Sequence, residues 1–149
     1  MAEAKVPWVL TLGDGSLSFS NCLATKYNLG HIDLPGTEAT ADVDNIKKQK
    51  SADIHLVATT FDSPATLILK YTDAQGYRTR ITKRGGVVVG SVDATNISNT
   101  LKDGFERQIL HKYSPTPSTP ISLALDSHSC EALPSPLPQA FDLVIFNNP

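Results

Sequence analysis

An apolar run, Val9-Leu10-Thr11-Leu12, ends abruptly at Gly13-Asp14-Gly15, and a serine-punctuated segment follows in which Leu17, Cys22 with Leu23, and Tyr27 recur at helical spacing. This order reads as strand, tight turn, helix. Two glycines permit positive φ in the turn and leave no Cβ between the main chain and a ligand, while the helix that follows presents N–H groups with no intrahelical acceptor. A nucleotide-like molecule fits such a turn. A single Gly-x-Gly is a weak motif that equally describes an ordinary strand-to-helix connection, so the rest of the chain has to decide.

The same order recurs downstream. The β-branched run 54–61 ends at Asp62-Ser63-Pro64, with Ser63 and Pro64 suited to N-cap and first helical position of a helix over 65–71. A third run, 87–92, ends at Asp93-Ala94-Thr95, and Asn96 can cap a helix over 97–113. A fourth, Phe141-Asp142-Leu143-Val144-Ile145-Phe146, is followed by Asn147-Asn148-Pro149. Strand-then-helix units of about 30 to 45 residues in series predict an α/β fold, a parallel sheet with right-handed crossovers. Such a sheet ending on its last strand would leave one edge open and one face uncovered, so a truncated domain is expected.

The remaining stretches are read as surface. A length of 149 residues fits a single domain, 1–149. A polar insert spans about 30–53, holds Pro35-Gly36 and Lys47-Lys48-Gln49-Lys50, and allows a weak helix over 41–50, with the lysines read as a solvated face. A Pro/Ser-rich insert spans about 114–139 and takes six of the ten prolines. Its Asp126, His128 and Cys130 are not read as a metal or nucleophile site, because such backbone is a poor place to preorganise chemistry. Residues 72–84, with Arg78, Arg80, Lys83 and Arg84, form the densest basic patch and are read as a surface helix or loop, RNA contact being the sharper reading. His55 is read as a packed histidine.

The formal net charge of −2 gives no global attraction to nucleic acid or to an anionic membrane, so any RNA would dock on a local surface. The two cysteines, Cys22 and Cys130, make neither a disulfide framework nor a metal spacing, which points to a reducing intracellular compartment and no metal. No apolar run is long enough for a signal peptide or a membrane span.

Position ties the motifs together. Gly13-Asp14-Gly15, Asp62, Asp93 and Asn147 all fall at or just beyond the carboxyl ends of predicted parallel strands, the rim where doubly wound folds bind ligands. Asp62, which lies 47 residues beyond Gly15, is placed to accept hydrogen bonds from both hydroxyls of a ribose.

The blocks Leu12-Gly13-Asp14-Gly15-Ser16-Leu17-Ser18-Phe19-Ser20, Ala58-Thr59-Thr60-Phe61-Asp62-Ser63, Val92-Asp93-Ala94-Thr95 and 141–149 occur in the order and character of the eukaryotic large-subunit (25S-type) rRNA uridine-N3-methyltransferase domain, whose N-terminal part the chain resembles. The resemblance implies a Rossmann-like class I methyltransferase: a three-layer sandwich, strand order 3-2-1-4, S-adenosylmethionine as cofactor, rRNA or a pre-ribosomal particle as partner, and nuclear or nucleolar location. It also implies that Gly13, Asp14 and Gly15 pass beneath the methionine part of the cofactor and that Ser16, Ser18 and Phe19 belong to the cofactor-binding set. Asp62 with Ser63 would hold the ribose, Asp93 with Ala94 would meet the adenine, and Asn147, Asn148 and Pro149 would form the catalytic block, Asn147 facing the methyl group. Three positions depart from the family pattern: Ser16 stands where Asp or Asn is common, Leu17 where Phe is common, and Asn147-Asn148-Pro149 where Asn-Phe-Pro-His is common. Two other readings share parts of this pattern. An NAD(P)-dependent oxidoreductase shares the glycine turn and the ribose acid but would want a third glycine where Ser18 stands, and a non-catalytic nucleotide-binding remnant shares the pocket alone.

Overall fold

The computed structural model describes residues 5–32, 52–113 and 137–147. Four strands, β1 (Trp8–Leu12), β2 (His55–Thr59), β3 (Val87–Val89) and β4 (Leu143–Phe146), form one parallel sheet in the order β3-β2-β1-β4. Helix α1 (Ser18–Lys26) follows β1, α2 (Pro64–Lys70) and α3 (Ala74–Lys83) follow β2, and α4 (Ile97–Tyr113) follows β3. The α/β Rossmann-like fold and its strand order are those the sequence led us to expect.

Both faces of the sheet are covered over β1, β2 and β3, which is why those strands read as nearly continuous apolar runs. Leu143, Val144 and Phe146 leave the edge strand β4 exposed among the described residues, as the open edge expected from the sequence implies. On one face Val9, Leu56, Ala58 and Val88 pack with Leu17, Ala24, Leu67, Ala74 and Ile81 from the α1, α2 and α3 layer. On the other, Leu10, Leu12, Val57, Val87 and Val89 pack with Leu101 and Phe105 of α4. Side chains alternate between faces along each strand, so Leu56 and Val57 serve opposite cores although they are neighbours. His55 is packed as expected, its ring stacked on Trp8 with centroids 4.6 Å apart.

Three details differ from the sequence reading. Positive φ was expected at both glycines of the turn, but only Gly13 has it (φ 71), and the second left-handed residue is Leu17 (φ 66), the N-cap of α1. Leu17 is fully buried, and burying a leucine side chain gains roughly 1.5–3 kcal/mol, enough to offset a left-handed cost of roughly 1–2 kcal/mol. β3 stops at Val89, because Ser91 (φ 60) turns the chain across the tip of β2, where the Ser91 and Val92 N–H groups donate to the carbonyls of Asp62 and Thr60. Residues 74–83, read as a surface helix or loop, are the helix α3. The near end of the polar insert is packed: the Gly30 N–H donates to Ile54, the Ile32 N–H donates to Gly85, and Ile32 is buried. The helix expected over 41–50, the lysine cluster within it, and Asp126, His128 and Cys130 lie outside the described residues.

β4 also begins later than expected, at Leu143, because Asp142 serves as a clamp. Its carboxylate accepts the Trp8 N–H at 2.8 Å and Lys5 Nζ at 3.0 Å, tying the start of β4 to the start of β1. These contacts, the Trp8 N–H foremost, hold the Asp142 carboxyl below its ordinary pKa of 3.8. A depressed carboxyl stabilises the fold fully above its unfolded pKa and loses that contribution as the pH falls through the lower folded value. Asp142→Asn is therefore expected to lower the thermal midpoint at pH 7, and the gap from the parent should close in strongly acidic buffer. An undiminished gap in acid would show that the clamp does not act through its charge.

Candidate functional site

The strand order reverses between β1 and β4, and this is where the glycine turn sits. The Asn147 N–H donates to the Leu12 carbonyl at 2.8 Å, which brings the exit of β4 over the end of β1. A Cβ on Gly13 would stand 2.9 Å from the Asn147 carbonyl oxygen, so this close approach requires glycine. A Cβ on Gly15 would meet only the Tyr71 hydroxyl, at 3.2 Å. Gly13 and Asn147, chosen from opposite ends of the sequence, are thus in contact.

Beneath the turn the strand tips carry buried polar groups that satisfy one another, as buried polar atoms must. Asp14, with 1% of its surface exposed, accepts the Ser20 N–H at 2.7 Å and so caps the first turn of α1. The Ser20 and Thr11 hydroxyls lie 2.8 Å apart, and the Thr59 hydroxyl donates to the Thr11 carbonyl at 2.7 Å. These contacts lock the ends of β1 and β2 to the start of α1.

At the tip of β2, Asp62 accepts Lys70 Nζ on Oδ1 at 2.7 Å. Lys70 is the last residue of α2, and the hydrogen bond to Asp62 raises its pKa above the ordinary 10.5, so it is a cation throughout the physiological range. Asp62 has 17% of its side chain exposed, and Oδ2 is left without a hydrogen-bond partner among the described residues. Ser63 caps α2: its hydroxyl accepts the Thr66 N–H at 3.2 Å and lies 2.9 Å from Thr66 Oγ1. Asp93, beyond β3, accepts both the hydroxyl and the N–H of Thr95, at 2.7 and 2.8 Å. Those two bonds, the hydroxyl first, hold its carboxyl below the usual range, so it is ionised at neutral pH. Ala94 is half-buried between them.

Ser16 and Ser18 stand on the outer side of the glycine turn with hydroxyls 3.0 Å apart. With Lys70, Tyr71, Thr72, Asp73 and Tyr77 they line a shallow pocket of about 280 Å³. Phe19 is half-buried on α1. Asn148 and Pro149 lie outside the described residues. The structure therefore gathers Gly13, Gly15, Asp62, Asp93 and Asn147 on one rim, and it shows that the Asp14 carboxylate and the Ser63 hydroxyl are already engaged as helix caps. Lys70, Tyr71 and Tyr77 were missed by the sequence reading. Only the eight-residue spacing from Asp62 to Lys70 could have hinted at the first, and no residue pattern marks the tyrosines.

Fold and rim together define an α/β protein of the Rossmann-like class with its polar groups collected at the topological switch point. The chain belongs to the BMT5-like family, described as rRNA (uridine-N3-)-methyltransferase BTM5-like, whose model matches residues 10–149. No curated protein and no solved structure matches it significantly. Among the described residues no group of three histidine, cysteine or acidic side chains could hold a metal ion, and no helix is long and apolar enough to cross a membrane.

Proposed function

We propose that residues 1–149 form one S-adenosylmethionine-binding domain and that it serves methyl transfer to N3 of a uridine in large-subunit rRNA, in the nucleolus. The observation that carries this reading is the meeting of Gly13 and Asn147 at the switch point, with the Asp62 oxygen that has no partner among the described residues on the neighbouring strand tip. The residues fit the cofactor. Gly13 and Gly15 offer backbone without a Cβ, Asp62 Oδ2 is a spare acceptor for ribose hydroxyls, and the backbone and methyl of Ala94 beside Asp93 offer an edge for adenine. Ser16, Ser18 and Phe19 would flank the amino-acid part, while Asp14 and Ser63 act as positioning residues through the helices they cap.

When bound, S-adenosylmethionine supplies a methyl group on a sulfonium ion. The chain's own part is alignment and exclusion of water, since an in-line displacement needs no protein nucleophile. As the N–C bond forms the S–C bond breaks with its electron pair staying on sulfur, S-adenosylhomocysteine leaves, and the N3 proton passes to solvent water. The Asn147 amide, at the end of β4, would orient the uracil carbonyls, and Asn148 and Pro149 would continue that edge. Family membership and the glycine turn without a third glycine favour this reading over an oxidoreductase. The test is incubation with S-adenosylmethionine and large-subunit rRNA, followed by mass spectrometry of the nucleosides. 3-Methyluridine is the expected product, and Asn147→Ala should lower its rate by about tenfold to a hundredfold if the amide orients the acceptor. A product methylated elsewhere, or undiminished activity of the variant, would sink the corresponding part.

A further inference from the structure

The charge of the molecule is divided between its two helical layers. The layer made of α1, α2 and α3 with their α2–α3 turn and Arg84 carries Lys26, Lys70, Arg78, Arg80, Lys83 and Arg84 against a single acid, Asp73, in a chain whose net charge is −2. Helix α4, on the opposite face, carries Lys102, Arg107 and Lys112 with Asp103 and Glu106, and Lys102 reaches Glu106 at 4.0 Å. All six cations of the first layer are exposed except Arg78, which is half-buried.

The helix dipole explains only part of this. Cations in the last turn of a helix are favoured, which accounts for Lys26, Lys70, Arg80 and Lys83 but not for Arg78, and the acids at the helix starts of this layer are Asp14, which accepts the Ser20 N–H of α1, and Asp73, the N-cap of α3. The upper end of the layer is mixed, with Asp73 at the N-cap of α3 and Lys70 paired to Asp62 at 2.7 Å, and the excess of positive charge lies with Lys26, Arg78, Arg80, Lys83 and Arg84. This layer also starts from the glycine turn, and its upper end holds the hydroxyl-lined pocket of Ser16, Ser18, Tyr71 and Tyr77. Exposed apolar side chains, Phe61 and Leu69, stand at that same upper end, where unpaired bases can stack or pack.

We infer that the outer face of the α1–α3 layer is the surface on which the RNA docks, its phosphates running along α3 from the hydroxyl-lined pocket toward Lys83. The inference rests on the proposed rRNA substrate and adds the face that receives it. α3 is 10 residues long, about 15 Å at 1.5 Å per residue, room for a strand of two or three nucleotides. Arg84 has a structural task as well, since Nη1 donates to the Ala24 carbonyl at 3.2 Å, so it is left intact in the test.

The test compares the full chain with Arg80→Gln/Lys83→Gln and with the control Lys102→Gln/Arg107→Gln on α4. Binding of a fluorescein-labelled, uridine-rich single-stranded RNA is followed by anisotropy over a salt series. The α3 variant should bind about tenfold more weakly at low salt and lose about 1.4 from the slope of log K against log salt, whereas the α4 variant should match the parent. Equal losses in both variants, an unchanged α3 variant, or a parent that does not bind the RNA would each overturn the inference. S-adenosylmethionine titrated into the same three proteins separates the two proposals: binding should be equal in all, and its failure alongside α3-dependent RNA binding would remove the cofactor reading and leave the docking face.

Discussion

Gly13→Ala is expected to cost roughly 2–4 kcal/mol of stability and to weaken cofactor binding by about tenfold or more. Two effects add at this position. The residue has φ 71, a conformation that costs an L side chain roughly 1–2 kcal/mol, and its new Cβ would stand 2.9 Å from the Asn147 carbonyl oxygen. That oxygen cannot simply swing aside, because the same residue's N–H is held by Leu12 at 2.8 Å. Relief must come from moving the exit of β4 away from β1, which opens the switch point. Gly15→Ala is the natural comparison: its Cβ would meet only the end of the Tyr71 side chain, which can rotate, so its cost should stay below about 1 kcal/mol. Denaturant unfolding together with calorimetric titration of S-adenosylmethionine reads both quantities. Equal costs at the two glycines would mean that contact with Asn147 does not decide the requirement.

Asp62→Ala should weaken S-adenosylmethionine and S-adenosylhomocysteine alike, by roughly 1–3 kcal/mol, the usual cost of leaving polar groups without a charged partner. The fold should survive the change. Asp62 supports its surroundings through its backbone, whose carbonyl accepts the Ser91 N–H at 3.1 Å and the Thr60 hydroxyl at 3.0 Å, and alanine keeps that carbonyl. Lys70→Ala separates the two partners, because it frees Oδ1 while keeping the acid. Calorimetry on the parent and both variants, with NAD as the comparison ligand, decides the matter. A folded Asp62→Ala protein that binds as tightly as the parent would remove the ribose assignment, and binding of NAD in preference would remove the cofactor assignment as well.

What the sequence made legible follows from which forces act locally. The strands announced themselves as apolar runs, unbroken in β1, β2 and β3 because these are buried on both faces, and the acids and Asn147 could be placed because they terminate those runs. Ser63 and Pro64 were read correctly as the start of α2 because capping is decided within a turn of the chain. Leu17 was not, since its left-handed backbone is imposed by packing of a fully buried side chain, which no local pattern records. The Lys70–Asp62 pair was missed for a related reason: it depends on the short α2 folding back toward the strand tip. The uneven charge of the two layers was only half visible. The sequence showed the cluster from Arg78 to Arg84, but it took the adjacency of α1 and α3 to show that Lys26 and an acid-free α1 extend the same face.

The buried cap on α1 also bears on which cofactors the turn can accept. In folds that bind dinucleotides, the first helix turns its unpaired N–H groups and positive dipole end toward a diphosphate. Here Asp14 takes up the Ser20 N–H with a carboxylate that is almost wholly enclosed, so that end of the helix already has its anion. A diphosphate laid against the turn would face a fixed negative charge across a short distance with little water to screen it. A phosphate-free ligand bearing a sulfonium would meet attraction from the same group. Under the proposed cofactor assignment, the middle letter of Gly-Asp-Gly would sort nucleoside cofactors by the sign of what is attached to the ribose, before any contact with the base is made.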